Sequence, residues 1–275
     1  MNSMVNKEGL VTRRVALQLC GIGLGERIPT IAEMERTCES SRGNVQKALS
    51  NLKEQGAVEL ETHGKSGTLL ISINYLKIAY LCKLDHLIGA MPLPYTSRYE
   101  GLATGLFTLL NRDGITSYIT FQRGSEARLQ TLLSGATSYC VMSLLAYEEY
   151  QRKCNEVELA VECGALTYVG KHLVFAKKSR EAEWANAKVG IDESSADQRL
   201  LTRRFFAPFS VKYIPVQYMH ILDMILDGSL DAGIWNEDDV HLGTADFTTY
   251  PLNKDGRDGK DTHAVIVVRK GDCFT

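Results

Sequence analysis

Residues 40–56 read SSRGNVQKALSNLKEQG. Val45, Ala48, Leu49 and Leu52 recur at the i, i+3, i+4, i+7 spacing of a helix with one buried face. Ser40 or Ser41 stands where an N-cap accepts the free amides of a first turn. Gly56 stands where a helix closes in the left-handed conformation. The other face opens with Arg42, Gly43, Asn44, Gln46 and Lys47. Such a helix belongs either to a solvated surface or to the major groove of DNA, and its flanks decide which.

Upstream, LVTRRVALQLCGIGL (10–24) has a helical apolar face in Leu10, Val11, Val15, Leu17 and Leu19, ended by Gly21, Gly23 and Gly25. In IPTIAEMERTC, Thr30 followed three residues later by Glu33 forms a capping box, so a short second helix starts there and stops near Cys38–Glu39. Downstream, Val58 and Leu60 alternate with charged residues. HGKSG makes a turn, and Leu69, Ile71 and Ile73 alternate again, which predicts a β-hairpin. Three helices and a hairpin are the order of a winged helix-turn-helix domain, placed over residues 1–74.

Recognition helices present their N-terminal residues to base edges. Arg42 can pair bidentately with guanine, and Gln46 or Asn44 with adenine. Ser41 opens the helix, Gly43 lets the backbone approach closely, and Lys47 adds charge. Lys65 in the wing and Arg13 or Arg14 on the first helix are candidate phosphate contacts, which position without specifying. Residues 1–74 hold nine Lys/Arg and eight Asp/Glu, a net of only +1.

Residues 28–73 resemble the DNA-binding domain of GntR-type bacterial regulators. The matching positions are Ile28-Pro29-Thr30, Ser41-Arg42, Val45, Ala48-Leu49, Leu52, Gln55-Gly56 and Gly67-Thr68. Ala32 and Gln46 stand where that family often carries arginines, Glu35 and Glu39 replace a small residue and a turn glycine, and the wing is one residue longer. The resemblance therefore implies double-stranded DNA as a partner, with a different operator preference.

From Tyr75 onward strands and helices alternate, which implies α/β layers. LKIAYLC (76–82) is expected to be the first strand. TSRYEGLATGLFTLLN follows as a helix capped at Thr96 or Ser97, then strand ITSYITF, helix SEARLQTLLSG capped at Ser125, strand YCVMS, and helix LLAYEEYQRKCN. LTYVG, HLVFAKKS, AKVGI, VKYIPV, LDAGIW and HAVIVVRK are expected strands, with helices at SSADQRLLTRRFFA and YMHILDMILDGS. ILDMILDGSLDAGIW (221–235) resembles an element of type 2 periplasmic-binding-protein folds. HLVFAKKS and HAVIVVRKGD resemble the two neighbouring strands that begin and end the second lobe of such folds. The resemblance implies an α/β, two-lobed effector-binding domain over residues 75–275. LysR-type regulators use such a domain too, but through a long linker helix, whereas here the wing is expected to run through Asn74-Tyr75 into a strand. A GntR-like winged helix joined to this sensor is similar to the YhfZ family.

In such lobes a ligand meets loops at the carboxyl ends of strands, where helix N-termini offer free amides. The candidates are Thr96, Ser97, Arg98 and Tyr99 after the first strand, Arg123, Gly124 and Ser125 after the second, and Ser143 after the third. In the second lobe they are Ser194, Ser195, Gln217 and Trp235. As a set they point to a small anionic effector.

The composition fits a globular protein, with 44% hydrophobic and 23% charged residues. No stretch approaches the roughly 18 apolar residues of a membrane span. The start has no apolar signal core. The seven cysteines lack CxxC spacing, so neither a disulfide framework nor a zinc site is expected, and a reduced, cytoplasmic protein is. The six histidines lack ligand spacing, no phosphate-binding glycine motif follows a strand, and Lys177, Lys178 and Asp192 form no acid–base set. The expected protein is a one-component transcriptional regulator: not an enzyme, without cofactor or metal, and a homodimer reading two half-sites. The alternative is a small-molecule binding protein or lyase whose winged helix dimerises.

Overall fold

The computed structural model describes residues 7–64, 67–82, 86–112, 114–178, 183–239, 246–252 and 259–271. The chain divides into two compact units. One comprises Met1–Leu87 with Leu110–Thr116 and Gly271–Thr275, the other Ile88–Leu109 with Ser117–Lys270.

The first unit is built on α1 (Lys7–Cys20), α2 (Ile31–Thr37), α3 (Arg42–Glu54), β1 (Val58–Thr62) and β2 (Thr68–Ile73). Val15, Leu19, Met34, Val45, Leu52 and Leu70 form its core, all fully buried. The Thr30–Glu33 capping box opens α2. Ser41 is the N-cap residue of α3, although its side chain makes no capping bond. Gly56 ends α3 with φ of 63°.

Two sequence expectations change here. The hairpin pairs Leu60 with Leu70 and Glu59 with Ser72, so Ile71 is an extra residue in β2. This bulge breaks the alternation: Leu70 turns into the core while Ile71 is 36% exposed. The segment expected as a strand at 76–82 is instead a helix, α4 (Tyr75–Leu81), capped by the Asn74 side chain on the Lys77 amide. Ile78 and Cys82, one helical turn apart, pack into the core of this unit. A helix of seven residues, not a strand, therefore follows the wing.

In the second unit the first lobe contains β3 (His86–Met91), α5 (Ser97–Arg112), β4 (Thr116–Phe121), α6 (Ser125–Leu133), β5 (Tyr139–Ser143), α7 (Leu144–Gln151) and β6 (Val157–Glu162). The second lobe contains β7 (His172–Lys177), β8 (Lys188–Ile191), α8 (Ala196–Phe206), β9 (Lys212–Pro215), α9 (Ile221–Leu226), β10 (Ala232–Asn236) and β11 (Phe247–Pro251). The chain then ends in β12 (Ala264–Arg269). Among the described residues each lobe has a five-stranded sheet, ordered β4-β3-β5-β12-β6 and β11-β7-β10-β8-β9.

The final strand corrects the reading of HLVFAKKS and HAVIVVRKGD as neighbours. β7 lies in the second sheet, while β12 returns to the first and pairs antiparallel with both β5 and β6. Its near-continuous apolar run, with Ala264, Val265, Val267 and Val268 buried, is that of a central strand. The first strand of the two lobes is β3. LTYVG is a loop, and β6 and β11 are strands that the apolar pattern did not mark.

Candidate functional site

In the first unit α3 presents Arg42, Gly43, Asn44, Gln46 and Lys47 as exposed residues. Gln46 continues into a groove with Ser50 and Lys53 on α3, Arg27 before α2, and Thr62, Gly67 and Thr68 at the wing. Arg27 bridges to Leu69, and its guanidinium lies under Gly67, where an added Cβ would come within 2.6 Å of Nε. Arg27, Ser50 and Lys53 thus lie beside the α3 residues that the sequence singles out, and the sequence reading misses them. Arg13 is exposed. Arg14 turns to the corner between α2 and α3, donating to the Cys38 carbonyl at 2.6 Å and to Glu39 at 3.2 Å. Glu39 holds φ of 48°, in the left-handed region. Lys65 lies outside the described residues.

In the second unit the lobes meet over a small cavity of about 70 Å³. Its walls come from the loop after β3 (Pro92, Leu93, Tyr95), from the loop after β4 and the start of α6 (Gln122, Arg123, Gly124, Ser125, Arg128), and from Tyr99 of α5. Tyr168 and His172 contribute from the crossover between lobes, and Asp192, Ser195, Asp197, Gln198, Tyr218 and Asn236 from the second lobe. Contacts across the lobes hold it shut. Arg123 donates to Asp192 at 2.7 Å, and Arg98 to Asp238 at 3.0 Å. Ser143 donates to Asp197, and the Ala196 amide to the Ser125 hydroxyl at 3.3 Å. Backbone meets backbone at Gly124, where a Cβ would come within 2.7 Å of the Ser194 carbonyl oxygen. Beyond the Arg123–Asp192 pair an outer groove is lined by Ser194 and Gln217.

The lining charges balance: Arg123 and Arg128 face Asp192 and Asp197. Burial pushes the Asp192 carboxyl up, but bonds from Ser194, Arg123 and the Tyr218 amide bring it below its ordinary value. Asp197 has no such set. Burial pushes it up to about 6, against the opposing pull of His172 and the Ser143 hydroxyl. Arg128 is buried and donates to the carbonyls of Val141 and Gln122 and to the Tyr168 hydroxyl. His172 is paired with Asp261 at 2.8 Å. Arg123 Nε and Asn236 Oδ1 are buried without a hydrogen-bond partner among the described residues. Leaving such a group unsatisfied costs about 1–3 kcal/mol.

The structure sorts the sequence candidates by place. Tyr99, Arg123, Ser125 and Ser195 line the inner cavity, and Ser194 and Gln217 the outer groove. Thr96 caps α5 through the Tyr99 amide, and Ser97 is exposed beyond it. Arg98 is bound to Asp238 and to the Leu166 carbonyl. Ser143 caps α7 and also holds Asp197. Trp235 stacks on Tyr218 with ring centroids 4.0 Å apart, outside the cavity lining. Ser125 is not the cap of α6: it is the first helical residue, behind Gly124. Sequence reasoning missed Arg128, Tyr168, Asp192, Asp197 and Asn236. Arg128 left a signal, since it occupies an inward position of α6 with Ser125, Leu129 and Leu132. No group of three or more potential metal ligands occurs among the described residues. No described helix is long and apolar enough to cross a membrane.

Comparison with known proteins agrees with this architecture. Residues 23–70 match a helix-turn-helix domain family, and residues 74–274 match the YhfZ C-terminal domain. The chain is 37% identical over 274 residues to YhfZ of Escherichia coli K12, covering 98% of this chain and 88% of that protein. The crystal structure of YhfZ from Shigella flexneri superposes with a TM-score of 0.59 at 37% identity, over 68% of this chain and 80% of that one. The ligand-binding component of an ABC-type import system from Staphylococcus aureus shares the fold, with a TM-score of 0.50 at 13% identity over 67% of this chain and 66% of that one. A helix-turn-helix domain followed by a two-lobed domain of the periplasmic-binding-protein kind, matched along nearly its whole length, places this chain in the YhfZ family.

Proposed function

We propose that the chain is a one-component transcriptional regulator, without enzymatic activity, that acts on DNA in the cytoplasm as a homodimer and senses a small molecule in the cleft of its second unit. The observation that carries this reading is one chain joining an exposed polar recognition face on α3 to a two-lobed cleft with unsatisfied polar groups. A ligand changes such a protein only through different affinities for the open and closed lobes. The effector brings an acidic group to Arg123, whose unpartnered Nε supports that choice.

The test is retardation of random duplexes at low salt by the full chain, with sequencing of the retained pool. Enrichment that is lost in an Arg42→Ala, Gln46→Ala double variant, together with a steep fall in affinity with salt, is the expected result. Light scattering should give twice the 30.5 kDa chain mass. A pool no different from that retained by the double variant removes the DNA-reading role and leaves the binding-protein alternative.

A further inference from the structure

Resting on the sensor reading of the cleft, we infer that the ligand is a small zwitterion, with its acidic group at the Arg123 guanidinium and its cationic nitrogen at Asp197 and Asn236.

Charge balance is the first reason. The lining holds two arginines and two aspartates, with His172 paired to Asp261 beside them, so a plain anion or cation would bring an uncompensated charge between the lobes, where burial of an unpaired charge is unfavourable. The orphaned atoms are the second. Arg123 Nε is a donor lacking an acceptor, and Asn236 Oδ1 an acceptor lacking a donor. Asn236 is 2% exposed, and its amide nitrogen is already given to the Tyr218 hydroxyl. A ligand with only one kind of group leaves one of the two unsatisfied.

The third reason is Asp197. It is buried between the lobes, and the basic side chains that act on it are committed elsewhere: Arg128 to two carbonyls and Tyr168, His172 to Asp261. Its raised proton affinity, from burial first, is that of a carboxylate short of a positive partner. An ammonium supplies that partner, whereas a neutral hydroxyl does not. Size limits the class: about 70 Å³ holds roughly five water-sized groups, the scale of the smallest amino acids.

Calorimetry and thermal shift on the full chain would use glycine and L-alanine as zwitterions, with acetate lacking the nitrogen, methylamine lacking the acid, and glycerol carrying neither charge. Saturable binding of a zwitterion is expected, with each control at least tenfold weaker. Asp197→Asn and Asn236→Leu should each weaken that binding at least tenfold. Acetate or glycerol binding as tightly as glycine and L-alanine overturns the inference, as does failure of both zwitterions to saturate, or unchanged binding in both variants. Retardation assays run in parallel separate the two readings. Zwitterion binding by a chain that retards no DNA leaves this inference standing and removes the regulator. A DNA response to acetate alone does the reverse.

Discussion

Asp197 shows at the level of one side chain why the cleft is more than packing. Its carboxyl is raised from 3.8 to about 6, first by burial. A folded state that holds its proton more tightly than the unfolded chain is favoured at low pH. The contribution is complete below about pH 4, is lost as pH rises toward 6, and is absent at neutrality. A change of that size corresponds to about 3 kcal/mol. Asparagine keeps an oxygen for the Ser143 hydroxyl and never ionises. Asp197→Asn should therefore narrow the pH dependence of stability: its advantage over wild type grows between pH 4 and 6 and stays constant above. Urea unfolding of both proteins at several pH values measures this, and parallel profiles would contradict it.

At the scale of elements, the elements most legible in the sequence were those with a periodic face and a local cap. α3 and the Thr30–Glu33 start of α2 were readable because spacing and capping chemistry lie within a few residues of each other. The hairpin was readable, but its register was not: a bulge is fixed by pairing across strands, not by either strand's own pattern. α4 was misread because Leu76, Ile78, Tyr80 and Cys82 alternate like a strand, while Ile78 and Cys82 also sit one helical turn apart, and the Asn74 cap decides between them. β6 and β11 leave little apolar signal because only Val157 of the one and Phe247 of the other are buried. The bulge makes a sharp prediction. Leu70→Ala should cost about 2–5 kcal/mol as a buried leucine truncation, whereas Ile71→Ala should stay within about 0.5 kcal/mol as a surface change. Denaturant unfolding of the two variants settles it; equal costs would restore the unbulged register.

At the scale of the whole molecule, the candidate site depends on contacts that no stretch of sequence displays. Arg123 and Asp192 are 69 residues apart, and Arg98 and Asp238 are 140 apart. The sequence placed Arg98 and Arg123 at loops after strands, yet their partners depend on how the chain crosses from lobe to lobe and back through β12. The proposed function rests at this scale on an equilibrium between closed and open lobes, which one amide would report. The Ala196 N–H, at the start of α8, donates to the Ser125 hydroxyl of the opposite lobe, so opening exposes it to water. Arg123 is 30% exposed and its partner Asp192 5%, which makes the pair worth more than a surface bridge, although solvent still screens it. Taking about 1 kcal/mol, Arg123→Ala should raise the open fraction roughly fivefold. Hydrogen exchange at Ala196 should speed up by about that factor, while amides in the core of either lobe, such as Val141 and Ile234, keep their rates. A ligand that prefers the closed lobes should slow the same amide, and the variant should bind it more weakly through its lost closed population and its lost Arg123 contact together. Exchange at Ala196 that matches wild type in Arg123→Ala would mean that the pair does not hold the lobes together. Acceleration spread evenly over Ala196, Val141 and Ile234 would mean that the substitution loosens the whole unit instead of its cleft.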